Sequence, residues 1–302
     1  MVHTGRQRSH AGKTAVPGHD GSRHMNRRQM LKTLAAFCLS AGVPLPAAAG
    51  LLEPGRFGRR DESPQATAPD SANNYCCDTS DGRRLTPIGM QLMESVLRRF
   101  SAIIKRIGYG NFALISFDEA RHTAAAYAGI GAFSKAETDF LAFLFSQDAA
   151  DYGFRGQKPF KNITDAVDKS AVVKIPGTGN YLLNGDPLRI YRQMRADIGD
   201  KLVLTSGIRG VAKQFYLFLN KARKTGGNLS LAAHSIAPPG YSYHGVGDFD
   251  VGKTGLGLDN FTLRFTHTDV YRKLQQLEYA EFRYPPDNRV GVRFEPWHIK
   301  TL

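Results

Sequence analysis

Cysteine is scarce in this sequence, which has three in 302 residues. Three thiols are too few for the disulfide framework that stabilises small secreted domains. Cys76 and Cys77 are adjacent, so a bridge between them would be strained. Cys38 lies in an N-terminal apolar segment, and the bulky Phe37 before it disfavours a lipid anchor. We therefore assign no catalytic role to the cysteines.

Long apolar runs are also missing. The charge-free stretch 33–44 ends at Pro44, short of the roughly 20 residues that a membrane-spanning helix needs. It follows the pair Arg27-Arg28 and precedes small residues at 47–49, which suit a cleavage site. Residues 1–49 are therefore predicted to be a twin-arginine export signal, with translation starting at Met1 or at Met25. This predicts a periplasmic protein with no stable membrane span after signal removal.

The positive charge is not concentrated in a nucleic-acid-binding pattern. Of the net charge of +13, residues 1–49 carry +6, and the remainder has 33 Lys/Arg against 26 Asp/Glu. No Lys/Arg cluster is interleaved with aromatic residues, so we expect no nucleic-acid partner and interpret the excess as a solvated surface. An anionic polymer such as a bacterial cell wall is a compatible partner.

Residues 50–84 are rich in Gly, Pro, Ser, Asp and Arg, and we interpret them as a disordered linker. A helical N-terminal region is predicted over residues 85–160. Its first helix has Thr86 as N-cap and Pro87 at the first position, and its second begins at Ser134 with Glu137 completing a capping box.

Residues 161–302 show a different pattern. Helices are predicted from Asp186 to about Ile198, from about Val211 to Lys224 and from Thr268 to about Leu277. Short strands are predicted at 201–206, 281–284 and 291–294. Helices followed by short strands predict an α+β fold with a small, mostly antiparallel sheet and flanking helices.

The stretch 242–254, SYHGVGDFDVGKT, contains two overlapping patterns. Residues 247–254 match the phosphate-binding pattern G-x-x-x-x-G-K-T. That pattern needs a buried strand before it and a helix after it, and neither PPGYSYHGV nor GLGLDN provides them. Asp248 and Asp250 would also repel the phosphates. We therefore predict no nucleotide partner.

The second pattern in the stretch is a set of metal ligands. His244 and one of Asp248 and Asp250 would join His298, which follows Glu295 by three residues in EPWH. Three protein ligands leave a fourth position for water, as in catalytic zinc sites. His122, His234 and His267 have no such neighbours, and we interpret them as ordinary core or surface residues.

Four motifs together resemble the zinc D-alanyl-D-alanine carboxypeptidases of the VanY type, which belong to the LAS grouping that includes the hedgehog fold. The motifs occur in the family's order from about Val203 to the C-terminus. They are SGIR (206–209) with Gln214, PPGYSYHGVGDFD (238–250), RYPPDN (283–288) and EPWH (295–298).

The resemblance implies a zinc peptidase domain over residues 161–302 and a role for each matching residue. His244, Asp250 and His298 would bind Zn²⁺. Glu295 would be the general base that takes a proton from the attacking water and passes it to the leaving amine, and Arg209 would bind a substrate carboxylate or the developing oxyanion. Ser242 and Gln214 would contact the substrate, and Trp297 would form a pocket wall.

The spacing departs from the family pattern at one point. The family has its aspartate seven residues after the histidine, whereas Asp250 follows His244 by six. We favour Asp250 over Asp248 because the apolar Val251 follows it, as in the family. The choice between the two aspartates remains open from the sequence alone.

The resulting hypothesis is an exported zinc D,D-carboxypeptidase that hydrolyses peptidoglycan stem peptides. Two alternatives share its motifs. An endopeptidase that cuts cross-links would use the same zinc site, because the motifs do not fix the length of the pocket. A non-catalytic zinc or cell-wall binding module would explain the shortened spacing, but it would have no need for Glu295 beside a water.

Overall fold

A computed structural model describes residues 72–301, and these belong to one compact unit. The predicted export signal (1–49) and residues 50–71 of the predicted linker lie outside the described part. The helices and strands, in chain order, are α1 (Ala72–Tyr75), β1 (Cys76–Thr79), β2 (Gly82–Leu85), α2 (Pro87–Ile107), α3 (Tyr109–Phe112), α4 (Phe117–Ala126), α5 (Lys135–Ser146), β3 (Val172–Lys174), β4 (Tyr181–Leu183), α6 (Asp186–Ile198), β5 (Leu202–Ser206), α7 (Val211–Lys224), α8 (Leu229–Ala233), β6 (Phe249–Lys253), α9 (Asp269–Leu274), β7 (Glu281–Phe282) and β8 (His298–Lys300).

The first long helix, α2, begins where the sequence predicts. The Thr86 side chain accepts a hydrogen bond from Gly89 N, and Pro87 occupies the first turn. The buried residues of α2 recur every three or four positions, which places them on one face. This face joins a hydrophobic core with residues of α4, α5 and α7, and its own members include Met93, Val96, Phe100 and Ile103.

A second hydrophobic core lies against the principal sheet. This sheet has the strand order β5-β6-β8-β7, and all its neighbouring strands are antiparallel. Phe249 and Val251 of β6 enter the core together with residues of α6 and α9. Because side chains alternate along a strand, Asp250 projects from the opposite side of β6. The predicted α+β class with a small antiparallel sheet is therefore confirmed.

The structure corrects four details of the sequence analysis. Residues 72–84, assigned to a linker, form α1 and most of the β1–β2 hairpin. Residues 291–294 are not a strand, and the last strand is instead β8. Helix α9 ends at Leu274 rather than near Leu277. Helix α4, capped by Ser116 and Glu119, was not predicted.

Among residues 72–301, no helix combines the length and apolar character required to cross a bilayer.

A buried ion pair connects α2 to the start of α5. Glu137 is 2% exposed and accepts hydrogen bonds from Arg99, from Ser95 and from the backbone of Ser134. Burial raises the pKa of Glu137, but these hydrogen bonds outweigh it and hold the pKa below its ordinary value. The Glu137 carboxylate therefore caps the N-terminus of α5 and also connects α5 to α2.

We expect Glu137→Ala to lower the free energy of unfolding by about 3 kcal/mol, because it leaves Arg99 without its partner and removes a cap. Urea denaturation measures the loss. The matched control is Glu119→Ala, which removes the equivalent capping-box carboxylate from α4, where the side chain is 42% exposed. A loss of about 1 kcal/mol is expected for the control. Equal losses in the two variants would contradict the importance of the Arg99 pair.

Candidate metal centre

Three buried side chains from different segments meet beside the principal sheet. His244 lies in a single 3-10 turn, Tyr243–Gly245, Asp250 in β6 and His298 at the start of β8. Asp250 and His298 are direct partners in the antiparallel register, so the pairing of the strands places their side chains together. All three residues are at most 4% exposed.

The geometry of the three residues fits a metal ion. One ligand atom from each lies within 4.8 Å of the others. Asp250 Oδ1 is 3.3 Å from His244 Nε2 and 3.5 Å from His298 Nδ1. His244 Nε2 and Asp250 Oδ1 are both buried without a hydrogen-bond partner. Buried polar atoms without partners are costly, and a cation bound between them would remove that cost.

Hydrogen bonds on the far side of each imidazole orient the ring. His244 Nδ1 lies 2.9 Å from the carbonyl oxygen of Gly207, so Nδ1 carries the proton and Nε2 keeps its lone pair. Burial, and the positive charge of Arg209, lower the pKa of His244 to about 4, which keeps the ring neutral. His298 Nε2 lies 3.0 Å from Asp248 Oδ2, which leaves His298 Nδ1 facing Asp250. Outer partners of this kind orient metal-binding histidines.

The two aspartates occupy different environments. Asp248 is fully buried, and Arg283 donates to both of its oxygens at 2.7 and 2.9 Å. Thr301 N also donates to Asp248 Oδ1, at 3.0 Å. Asp250 by contrast keeps Oδ1 unpaired towards both histidines. The structure therefore groups Asp250 with the histidines and places Asp248 behind His298.

Arg209 fixes the orientation of Asp250. Arg209 Nη2 donates to Asp250 Oδ2 at 2.6 Å, and Arg209 Nε and Nη2 donate to Ser206 Oγ. Burial raises the pKa of Asp250, but its interactions with the His244 ring and with the positively charged Arg209 outweigh this effect and hold the pKa well below its ordinary range. The carboxylate is therefore ionised, as a ligand must be.

The turn that presents Arg209 requires a glycine. A Cβ atom at Gly207 would lie 1.9 Å from the carbonyl oxygen of Tyr181. No side chain fits in this space, so the backbone can approach β4 closely only at a glycine. This close approach explains the Gly of the SGIR motif and positions the carbonyl that orients His244.

Glu295 lies beside His244, Asp250 and His298, but it is not one of the three candidate metal ligands. Its Oε2 is 3.4 Å from His298 Nδ1, and the residue is 7% exposed. Burial raises the pKa of Glu295 above its ordinary value, although the hydrogen bond to His298 opposes the rise. A carboxylate with a raised pKa is a better proton acceptor for chemistry near neutral pH.

A cleft of about 350 Å³ opens onto these residues. Ser242, Arg209, Glu295 and Trp297, all of which the sequence analysis assigns to the site, line it. Gln214 does not line the cleft. Its Nε2 donates to Arg209 O and its Oε1 accepts from Gly240 N, so it connects the SGIR turn to the loop before Ser242.

Sequence reasoning missed three aromatic residues of the cleft, Tyr109, Phe261 and Tyr284. Tyr284 is buried, and its ring lies edge-on to His298 with centroids 4.9 Å apart. Its position inside RYPPDN was the available signal. Tyr109 also lines the cleft, but it comes from the N-terminal helical region, where no motif marks it.

The phosphate-binding pattern has no structural basis. Most of residues 247–254 form the strand β6, and no helix follows directly. Lys253 ends this strand and pairs with Asp269 at 2.7 Å.

We expect Asp250→Asn to weaken binding of a divalent metal ion by more than about 100-fold, because it removes the anionic ligand. Asp248→Asn should weaken it by about 10- to 100-fold, because it disturbs only the orientation of His298. Competition with a chromophoric chelator measures both affinities. Asp259→Asn, at a surface ion pair, is the control and should leave the affinity unchanged. A larger loss in Asp248→Asn than in Asp250→Asn would contradict this assignment.

A family model matches the part of the chain that carries the four motifs. Residues 187–301 match the VanY family model, described as D-alanyl-D-alanine carboxypeptidase. No curated protein matches the chain. Similar solved structures include a mutant of the vancomycin resistance D,D-pentapeptidase VanY from the VanB-type cassette in complex with Zn(II), at 22% identity and a TM-score of 0.37 over 49% of this chain and 85% of that one.

Two further solved structures are similar over part of the chain. The LdcB LD-carboxypeptidase has 22% identity and a TM-score of 0.36 over 43% of this chain and 63% of that one. The vancomycin resistance D,D-dipeptidase VanXYg, in complex with a D-Ala-D-Ala phosphinate analogue, has 18% identity and a TM-score of 0.39 over 49% and 60%. The family match confirms the predicted resemblance: residues 187–301 carry the sequence pattern of the VanY D-alanyl-D-alanine carboxypeptidases, which are peptidase enzymes.

Proposed function

We propose that the protein is a zinc-dependent D,D-carboxypeptidase that removes the terminal D-alanine from peptidoglycan stem peptides. The observation that carries this proposal is the pair of unpartnered buried atoms, His244 Nε2 and Asp250 Oδ1, beside His298 Nδ1 and Glu295. The family match over residues 187–301 supports the peptidase activity and the choice of substrate. The predicted export signal supports a substrate in the cell wall.

The donor set suits zinc. Two imidazole nitrogens and one carboxylate oxygen are common ligands of catalytic zinc, which keeps a fourth position open. Zinc bound here would supply a Lewis acid that polarises the scissile carbonyl and lowers the pKa of a water molecule. His244, Asp250 and His298 would hold the ion, and their outer partners Gly207, Arg209 and Asp248 would keep the ligand atoms aimed at it.

Glu295 would carry the proton during the reaction. Its carboxylate lies next to His298 Nδ1, so a water near the metal ligands is within its reach. Its raised pKa suits a group that accepts a proton from the attacking water and then donates it to the leaving amine. Since the residue is buried, bulk water would not compete for that proton.

Arg209 would have two roles. Its Nη2 holds Asp250, whereas its Nη1 has no hydrogen-bond partner among residues 72–301. The side chain lines the cleft, so this remaining donor is available to a substrate carboxylate or to the developing oxyanion. Ser242 would bind the terminal carboxylate, and Trp297 would form the apolar wall beside it.

We expect Glu295→Gln to retain zinc and to lower kcat by about 10²- to 10⁴-fold, because it removes the proton carrier and keeps the shape of the side chain. Release of D-alanine from a pentapeptide ending in D-Ala-D-Ala, together with metal content, measures both properties. Glu278→Gln, remote from the cleft, is the control for the charge change. An active Glu295→Gln enzyme would contradict the mechanism.

The same assay separates the related functions. An endopeptidase would cleave a cross-linked dimer of stem peptides faster than the free pentapeptide. A protein that binds zinc and cell-wall fragments but hydrolyses neither substrate would be a binding module.

A further inference from the structure

The cleft carries two basic side chains besides Arg209. Lys221 and Arg293 line it, whereas the acidic residues that line it, Asp250 and Glu295, lie at the metal centre. Among residues 72–301, no carboxylate forms a salt bridge with Lys221 or Arg293. Two cations therefore face the cleft without a salt-bridge partner in this part of the chain, and the acidic group that interacts electrostatically with Arg293 is Glu295 at the metal centre.

The two cations are close enough to interact. Burial lowers the pKa of Lys221, and the positive charges of Arg293 and Lys224 lower it further. Lys221 comes from the last turn of α7, whereas Arg293 lies in the loop that leads to Glu295. Cations at the C-terminal end of a helix are favoured by its dipole, which accounts for Lys224 and in part for Lys221. That reason does not apply to Arg293, which does not lie in a helix.

Arg293 is held in a fixed orientation. Its guanidinium carbon lies 5.2 Å from the centroid of the Trp297 ring, and its Nη2 donates to Phe261 O at 3.1 Å. The stacked arrangement orients the remaining N–H donors and lowers the entropic cost of binding an anion. A guanidinium held on an aromatic face is well suited to bind a carboxylate.

The position of Lys221 along α7 indicates how many residues of a bound peptide would separate the two cations from the metal centre. Arg209 immediately precedes α7, and Leu217 and Lys221, one turn apart on that helix, both line the cleft. Ten residues of helix from Val211 to Lys221 span about 15 Å. An extended peptide covers that distance in about four residues.

We propose that Lys221 and Arg293 form a carboxylate-binding subsite at the end of the cleft beside the last turn of α7. This subsite selects peptides that carry a free carboxylate within about four residues upstream of the scissile bond. This proposal rests on the proposed function, because it assumes that the ligand is a peptide whose C-terminus lies at the metal centre. The proposal adds that the enzyme prefers a peptide with a free carboxylate at this position over one with a carboxamide.

The test uses two peptides that end in D-Ala-D-Ala and differ in one group. One carries a γ-linked glutamate with a free α-carboxylate upstream of the scissile bond, and the other carries the corresponding carboxamide. We measure kcat and KM with the zinc-loaded enzyme, and we measure affinity by calorimetry with the Glu295→Gln protein. The acidic peptide is expected to be favoured by about tenfold, mainly through KM and affinity.

Variants of the two cations test whether they cause the preference. The double variant Lys221→Gln/Arg293→Gln should reduce the ratio between the acidic and the amidated peptide to about one. The double variant Lys174→Gln/Arg272→Gln changes the net charge equally at exposed positions away from the cleft. This control should keep the tenfold ratio, which separates a local subsite from general electrostatic attraction.

The outcomes distinguish this proposal from the proposed function. Equal use of both peptides by the wild-type enzyme, or a preference that survives in the Lys221/Arg293 double variant, would overturn the subsite and leave the hydrolytic activity standing. Preferential binding of the acidic peptide without any hydrolysis would overturn the proposed activity and support the subsite. Absence of binding for both peptides would overturn the subsite.

Discussion

The ion pair between Arg209 and Asp250 is the interaction on which the candidate site depends. Its 2.6 Å hydrogen bond occupies one oxygen of a carboxylate that is 2% exposed and leaves the other oxygen facing two histidines. A buried carboxylate without a partner would cost several kcal/mol or become protonated. The arginine therefore stabilises the charge and also sets the direction in which the second oxygen points.

The rest of the site is built outwards from this pair. The antiparallel pairing of β6 with β8 brings His298 to Asp250, and the close approach of Gly207 to Tyr181 brings the Gly207 carbonyl to His244. Asp248 and Arg283 form a second buried ion pair that holds the far side of His298. Each candidate ligand is thus oriented by a partner, so a cation could bind between them with little rearrangement.

Local signals made the helices predictable. Thr86 and Ser134 cap α2 and α5 as expected, because a cap depends on residues three or four positions apart. The strands were harder to predict. Residues 298–300 are too few to show a period of two, and β8 exists because its partners β6 and β7 lie on either side. The hairpin at 76–85 is short in the same way and was mistaken for linker.

The sequence by itself determined the chemical groups of the candidate site, because the SGIR, SYHGVGDFD and EPWH motifs contain the arginine, the candidate ligands and the carboxylate that meet in the fold. The tertiary structure places Asp250, and not Asp248, in the group with the two histidines. The two aspartates are two residues apart, and only the strand register and the positions of Arg209 and Arg283 determine which oxygen is left unpaired. It also brought Lys221 and Arg293, 72 positions apart in the sequence, to the same cleft. No local pattern predicts such a pairing, since it depends on how α7 packs beside the loop before Glu295.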